Sequence, residues 1–373
     1  MIGSYHIHEM LKWILFLCFL VQIDCRIGCK GLTGSKVDWF IVYKLPAGEK
    51  NANQGKAFLY VDSKNPQWAL SKKDIEDDSV AVGATVKQIY KREPTAFHLM
   101  YSDDGPNTKA DSYRGHSKGV LLFDSSTGFW LVHSAPNFPP TASYAYPASG
   151  VKFAQTFMCV SINTNDLGNI GDQLRFIQAT PFDQNLPAKF ATRFPVLRNV
   201  VAKQSLPQSA TVFTSVKHMK TVDGVVIHSF AKHKKFQKDL WHDLVAPEMG
   251  TNLAVQSWLN GGAADLHSVC TSQYSVYDMK TVTVPDLTFN SSKDHSKWAV
   301  SDTERVPLVC VGDINRQKSQ LSRGGGTLCI QSVPLWKTYR STVSVVEPCK
   351  TNGIDHWIYF LVILVTSFFI LGI

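Results

Sequence analysis

The chain has 373 residues, 44% apolar and 18% charged, with 38 Lys and Arg against 30 Asp and Glu. That balance excludes a disordered, collagen-like or coiled-coil protein, and the length allows one large domain or two with a core that is stable without disulfides. The formal charge of +8 leans towards a polyanionic partner and decides nothing more.

Residues 1–25 read as a secretory signal: Lys12 precedes an apolar run from Trp13 to Ile23, which Asp24 ends. A membrane-anchoring first helix is the alternative, and the run is short for it. Strands are expected at Asp38–Tyr43, Ala57–Val61, Phe97–Tyr101, Gly119–Phe123, Phe129–His133, Thr156–Ile162, Leu253–Trp258, Pro307–Val311 and Thr327–Ile330, most of them β-branched or aromatic runs bounded by turn residues. Helical periodicity falls between them. Val82, Val86, Ile89 and Tyr90 make one stripe behind an Asp78-Ser79 cap, Phe236, Leu240, Trp241 and Leu244 make another, and a third helix runs from Leu335 to about Val343. No low-complexity linker divides the chain, so one α/β (mixed α+β) unit is expected over residues 26–350. Asn290-Ser291-Ser292 is a glycosylation sequon and fits a secretory route. At the far end Trp357 to Ile373 carries no charge, so residues 354–373 are expected to be a membrane anchor or a glycolipid-anchor signal, with a buried core helix as the plain alternative.

Cys18 and Cys25 fall in the leader, leaving Cys29, Cys159, Cys270, Cys310, Cys329 and Cys349. An even set suits disulfides in an oxidising compartment, and spacing alone favours only Cys310–Cys329, across a Gly-rich turn. No C-x-x-C or H-x-x-x-H spacing supports zinc.

One internal repeat stands out. His116-Ser117-Lys118 leads into an apolar strand, a turn and a second strand ending at His133-Ser134-Ala135-Pro136-Asn137; His295-Ser296-Lys297 leads into a similar run ending at Gly312-Asp313-Ile314-Asn315. His-x-Lys also occurs at 218/220 and 233/235, so the spacing by itself is weak. The downstream pattern is what singles out the first pair, while the other two read as solvated or DNA-backbone contacts.

The chemistry fits phosphodiester cleavage without metal or cofactor. Lysine ammonium and asparagine amide groups can hold non-bridging oxygens as fixed donors. One imidazole can attack phosphorus to give a phosphohistidine, and the other can protonate the leaving oxygen and then activate water. One must be neutral and the other protonated, which matches mildly acidic conditions. Around this set, His133 is a cleft or structural histidine, and Arg316 and Arg323 are phosphate contacts or solvated turn residues. Gly324–Gly326 is an anion nest or a flexible turn. Lys232 to Lys238 reads as a salt-dependent attraction for DNA or an ordinary exposed helix face, and Asp38-Trp39 as core and sheet-edge packing.

Val37-Asp38-Trp39-Phe40-Ile41-Val42-Tyr43-Lys44-Leu45-Pro46, Gly115-His116-Ser117-Lys118-Gly119, Phe129-Trp130-Leu131-Val132-His133-Ser134 and Asn137-Phe138-Pro139-Pro140 resemble the deoxyribonuclease II family. So do Asp294-His295-Ser296-Lys297-Trp298, Cys310-Val311-Gly312-Asp313-Ile314-Asn315-Arg316 and Arg323-Gly324-Gly325-Gly326-Thr327, in the family's order from about Cys29 to Cys349. The resemblance implies an acid, metal-independent endonuclease that leaves 3′-phosphate ends on double-stranded DNA. It implies two pseudo-symmetric, phospholipase D-like halves (about 29–205 and 206–350), each a mixed sheet flanked by helices, with the active site between them. It places the catalytic set on His116, Lys118, Asn137, His295, Lys297 and Asn315. It pairs Cys29–Cys159, Cys270–Cys349 and Cys310–Cys329, and it implies a lysosomal or extracellular enzyme acting on engulfed or apoptotic DNA. The superfamily's Asp after the Lys is displaced here, since Asp124 falls one residue late, and is left outside the site. A homodimer is carried as a candidate assembly. The competing functions are a lipid phosphodiesterase, suggested by the apolar tail, and a catalytically inactive DNA-binding homologue.

Overall fold

The structure, a computed structural model, describes residues 27–259 and 264–349; the leader and the 354–373 tail lie outside the described residues. Among the described residues, eighteen strands form two large sheets with few helices. The first sheet contains β1 (Trp39–Lys44), β2 (Phe58–Asp62), β3 (Ala69–Leu70), β4 (Phe97–Ser102), β5 (Lys118–Phe123), β6 (Thr127–His133), β7 (Gln155–Asn163) and β8 (Pro181–Asn185). Its order is β3-β2-β1-β7-β6-β5-β4-β8, antiparallel throughout.

The second sheet contains β9 (Thr214–Lys220), β10 (Val226–Lys232), β11 (Leu253–Gln256), β12 (Val269–Cys270), β13 (Ser275–Val284), β14 (Leu287–Asn290), β15 (Trp298–Ser301), β16 (Leu308–Gly312), β17 (Gly325–Gln331) and β18 (Val343–Val346). Its order is β12-β13-β11-β15-β16-β17-β10-β9, with β14 and β18 on β13 and one parallel pair, β11 with β13. The run β2-β1-β7-β6-β5-β4 has the same neighbours and directions as β9-β10-β17-β16-β15-β11. The two His-Ser-Lys segments lead into β5 and β15, at equivalent places in that run.

Alternation along the strands builds three apolar layers. Trp39, Ile41 and Tyr43 of β1 point between the sheets, where they join Val309, Val311, Leu328 and Ile330 of the second sheet and the helix Leu167–Phe176. Phe40 and Val42 point outwards, under the helix Ala81–Val86. Leu308 and Cys310 point outwards from the second sheet, against Trp241 and Val245.

Several local expectations change. The helix at 81 starts behind Val80 with no side-chain cap; Ser79 instead hydrogen-bonds Asp77 and Lys73. The expected helix over Phe236–Leu244 is a 3-10 turn, Lys234–Phe236, then a π turn, Trp241–Val245, that continues into Ala246–Met249. Lys232–Lys238 is therefore no helix face: Lys232 is the buried last residue of β10, and its ammonium donates to the carbonyls of Gln320, Leu321 and Arg323. The last helix is Val333–Arg340, and Val343 already belongs to β18. Strands β3, β8, β9, β10, β12, β13, β14 and β18 fall outside the expected ones. Asn290 ends β14 with its side chain exposed.

Among the described residues three disulfides form: Cys29–Cys159 ties the segment before β1 to β7, Cys270–Cys349 ties β12 to the segment after β18, and Cys310–Cys329 joins β16 to β17. Cys310 and Cys329 face each other across β16 and β17, just behind the turn that precedes Gly325. Serine at both positions should cost about 3 kcal/mol for a loop of this size, read as a lower midpoint in chemical denaturation. No helix among the described residues is long and apolar enough to cross a membrane.

Candidate active site

Both His-Ser-Lys segments sit at strand entries on the junction of the two sheets, and each is anchored by the other half of the chain. The His116 amide donates to the Gly324 carbonyl at 2.9 Å, and its Nδ1 lies 2.9 Å from Gln320 Oε1. This approach needs glycine on both sides: a Cβ on Gly115 would come within 1.8 Å of the Ile177 carbonyl oxygen, and one on Gly324 within 2.3 Å. In mirror fashion the His295 amide donates to the Ala154 carbonyl at 3.0 Å, and its Nδ1 lies 3.1 Å from the Ser134 carbonyl and 3.2 Å from Gln155 Oε1. A backbone carbonyl only accepts, so Nδ1 of neutral His295 carries the proton and Nε2 keeps its lone pair. Asp294 fixes this entry from below, accepting from Tyr43 of β1 and from the Ser296 amide.

The four groups share one field. Lys297 donates to the His295 carbonyl at 2.7 Å, and its Nζ lies 3.2 and 3.3 Å from the two ring nitrogens. Burial, then the charge of Lys118, push Lys297 well below an ordinary lysine. Burial, then Lys297, Lys118 and His116, push His295 well below an ordinary histidine. Burial also takes His116 down to about 3, with Lys118, Lys297 and Arg323 adding to it and Asp103 opposing. Two lysines and two imidazoles are thus gathered in a desolvated place, with Asp103, Asp294 and Asp313 as the opposing charges on Lys297.

Two carboxylates not marked in the sequence belong here. Asp103 binds Lys118 and Arg323; burial raises its pKa, but Lys118, His116 and Arg323 outweigh that and keep it ionised in acid. Asp313 is fully buried and accepts from the Gly326 amide at 3.0 Å; burial pushes it up to about 7. Gln155, Gln320 and Trp258 were also missed. Trp258 has φ +55°, and its ring lies 4.4 Å from that of His295 and 5.5 Å from Phe153. A bulky residue in the left-handed region is an outlier of the kind found at functional sites.

The asparagines sit at the matching strand exits. Asn137, also left-handed at φ +51°, donates to Asp104 Oδ1 at 3.0 Å, next to Asp103. Asn315 donates to Gln317 at 3.3 Å, and its Oδ1 is buried with no hydrogen-bond partner among the described residues. His133 is buried between Phe138 and Phe157, where burial takes it down to about 3; this is a core position.

Neither arginine is a free phosphate contact. Arg316 is 1% exposed and paired with Asp239 and Asp278. Arg323 is spent on Asp103 and the carbonyls of Asp111, Arg114 and Gly115. Of the other His-x-Lys pairs, His218 and Lys220 are exposed as expected, and His218 meets His228 across β9 and β10 at 2.8 Å between Nδ1 atoms. His233 departs from expectation: it is buried and bonds Ser205, while Lys235 stays exposed.

A family model described as deoxyribonuclease II matches residues 28–349. Cell-death-related nuclease 7 of Caenorhabditis elegans is 52% identical over 341 residues, 91% of this chain and 93% of that protein. Deoxyribonuclease-2-alpha of Mus musculus is 37% identical over 90% of this chain and 97% of its own length, and plancitoxin-1 of Acanthaster planci is 33% identical over 88% and 94%. With the match reaching from the first described strand to the last cysteine, the chain belongs to the deoxyribonuclease II family.

Proposed function

We propose that this DNA-degrading nuclease is an acid endonuclease that cuts double-stranded DNA to 3′-phosphate ends through a phosphohistidine on His295. The observation that carries the reading is the crossed anchoring of the two histidines, each ring held by the opposite half, in one field with Lys118 and Lys297. The charges acting on His295 are those of Lys297, Lys118 and His116, which with burial disfavour its protonation, so its Nε2 is the nucleophile; His116 has Asp103 acting in the opposite sense and is the proton donor. Nε2 of His295 attacks phosphorus, and the 5′-oxygen leaves with a proton from His116. His116, now neutral, takes a proton from water; the hydroxide breaks the P–N bond and frees the 3′-phosphate. Lys118, Lys297, Asn137 and Asn315 hold the non-bridging oxygens.

The sign of the pH dependence follows. His116 acts as an acid only while protonated, and the bound phosphate supplies the negative charge that raises its proton affinity. Asp313, raised to about 7, is neutral below that pH and does not compete with the phosphate for the lysines. Both effects weaken activity as pH rises past neutrality. Nicking of supercoiled plasmid should therefore be strong near pH 5, fall away above about pH 7, and be unchanged by EDTA. A neutral optimum or a requirement for added metal would refute the reading. Six paired cysteines and this acid dependence suit a lysosome-like compartment, and the name of the nematode relative suits DNA from dying cells.

A further inference from the structure

Each histidine meets a glutamine from across the junction. Gln320, after β16, faces His116 at 204 residues' separation; Gln155, at the start of β7, faces His295 at 140. The glutamines are themselves held. Gln155 is buried, and its Oε1 also accepts from Ser134 Oγ at 2.6 Å, while that oxygen accepts from the Thr156 amide at 3.0 Å. Gln320 sits in the one-turn helix Lys318–Leu321, and the buried Lys232 ammonium gathers its carbonyl with those of Leu321 and Arg323.

A group on Nδ1 controls two properties of an imidazole. Any acceptor there fixes the proton on Nδ1 and leaves Nε2 for the substrate. A carboxylate acceptor would also stabilise the imidazolium; a carboxamide does not. The remaining charged neighbours of His116 are Asp103, Lys118, Lys297 and Arg323, and those of His295 are Lys297, Lys118 and His116. Asp294, next to His295 in the chain, is occupied by Tyr43 and the Ser296 amide. Cations act on His295, while Asp103 opposes the cations at His116, so at each ring the charge of the Nδ1 acceptor shifts how acid the medium must be.

We propose that Gln320 and Gln155 are paired positioning residues, which orient His116 and His295 through uncharged carboxamides and thereby keep the enzyme's pH dependence on the acid side. The inference rests on the two-histidine mechanism proposed above. Under it, the limbs of the kcat profile belong to the DNA-bound enzyme, where the phosphate raises His116: the acidic limb reports protonation of the nucleophile, and the alkaline limb reports loss of the general acid's proton.

The test is the pH profile of full-length glutamate variants on plasmid DNA. In Gln320→Glu the new carboxylate favours protonated His116, so the alkaline limb should move up by about one pH unit or more. In Gln155→Glu the same change at His295 should move the acidic limb up by a similar amount. Gln320→Leu should lower kcat by about 10- to 100-fold without raising the alkaline limb. Unmoved limbs in a folded Gln320→Glu enzyme overturn the proposal. Gln320 is only half-buried, so that variant decides the matter even if Gln155→Glu fails to fold. Limbs that move in the exchanged sense keep the glutamines and overturn the roles given to the two histidines. Histidine C2 hydrogen exchange, read by mass spectrometry on the resting protein, measures protonation of His116 without any substrate. It separates failure at the glutamines from failure of the nuclease reading: a rise in Gln320→Glu supports the proposal, and no rise overturns it.

Discussion

His295→Ala is expected to lower cleavage of plasmid DNA by about 10^4-fold or more, and His116→Ala by a comparable factor, with both variants folded. On natural DNA the two losses look alike, because the first step needs a nucleophile and a proton donor together. They separate on thymidine 3′-p-nitrophenyl phosphate, whose leaving group departs without a proton. His116→Ala should then still transfer the nucleotide to His295 and stall, since no base remains to activate water. Intact-protein mass spectrometry at neutral pH should find the thymidine 3′-phosphoryl adduct on His116→Ala and none on His295→Ala. Adduct on neither variant would remove the covalent step, and adduct on His295→Ala alone would reverse the two roles. Both rings lie at strand entries, held by polar neighbours from the other half at Gln320 and at Ser134 with Gln155, and neither belongs to the apolar layers that hold the sheets together.

The parts of this site legible in the sequence are those written locally. His116 with Lys118 and His295 with Lys297 are two apart, and each asparagine closes a strand pair, so a repeated spacing exposes them. The residues that tune them follow no spacing: Asp103 reaches Lys118 over 15 residues, Arg323 reaches Asp103 over 220, and Gln320 reaches His116 over 204. Such contacts exist only once the sheets are stacked. The fold divides in the same way. Strands buried on both faces, such as β5 and β6, announce themselves as continuous apolar runs. Edge strand β9 carries Lys217, His218 and Lys220 on exposed or half-exposed positions and was lost among basic residues, as charged edges that resist further pairing tend to be. Strand β13 could have been found: Val276, Val282 and Val284 are buried in a run with no helical period. The π turn at Trp241–Val245 could not, because its Phe236, Leu240, Trp241 and Leu244 stripe is what an ordinary helix would show.

Arg316 gives the second large effect, and it is one of stability rather than DNA binding. Its position beside Asn315, in a basic chain, suggests a phosphate contact; its surroundings say otherwise. Nε lies 2.9 Å from Asp239, NH1 lies 2.6 Å from Asp278, and NH2 donates to the His267 carbonyl at 3.3 Å. All three partners lie on different segments of the second half, so one guanidinium ties β13 to the turn before Trp241. Arg316→Met keeps the volume and removes the charge, which strands two buried carboxylates and should cost about 3–5 kcal/mol. The cost should depend on pH. Burial already raises Asp278 to about 6 even with Arg316 lowering it. Without the arginine its pKa rises further above the unfolded value, and such a group destabilises the fold wherever it must ionise. The variant should thus lose least at acid pH, where Asp278 can take a proton, and progressively more as pH rises through neutrality. Thermal melts of Arg316→Met and the parent at pH 5 and pH 7.5 measure this directly. A DNA contact would give the opposite pattern, with melting unchanged at both pH values and KM raised in a salt-dependent way.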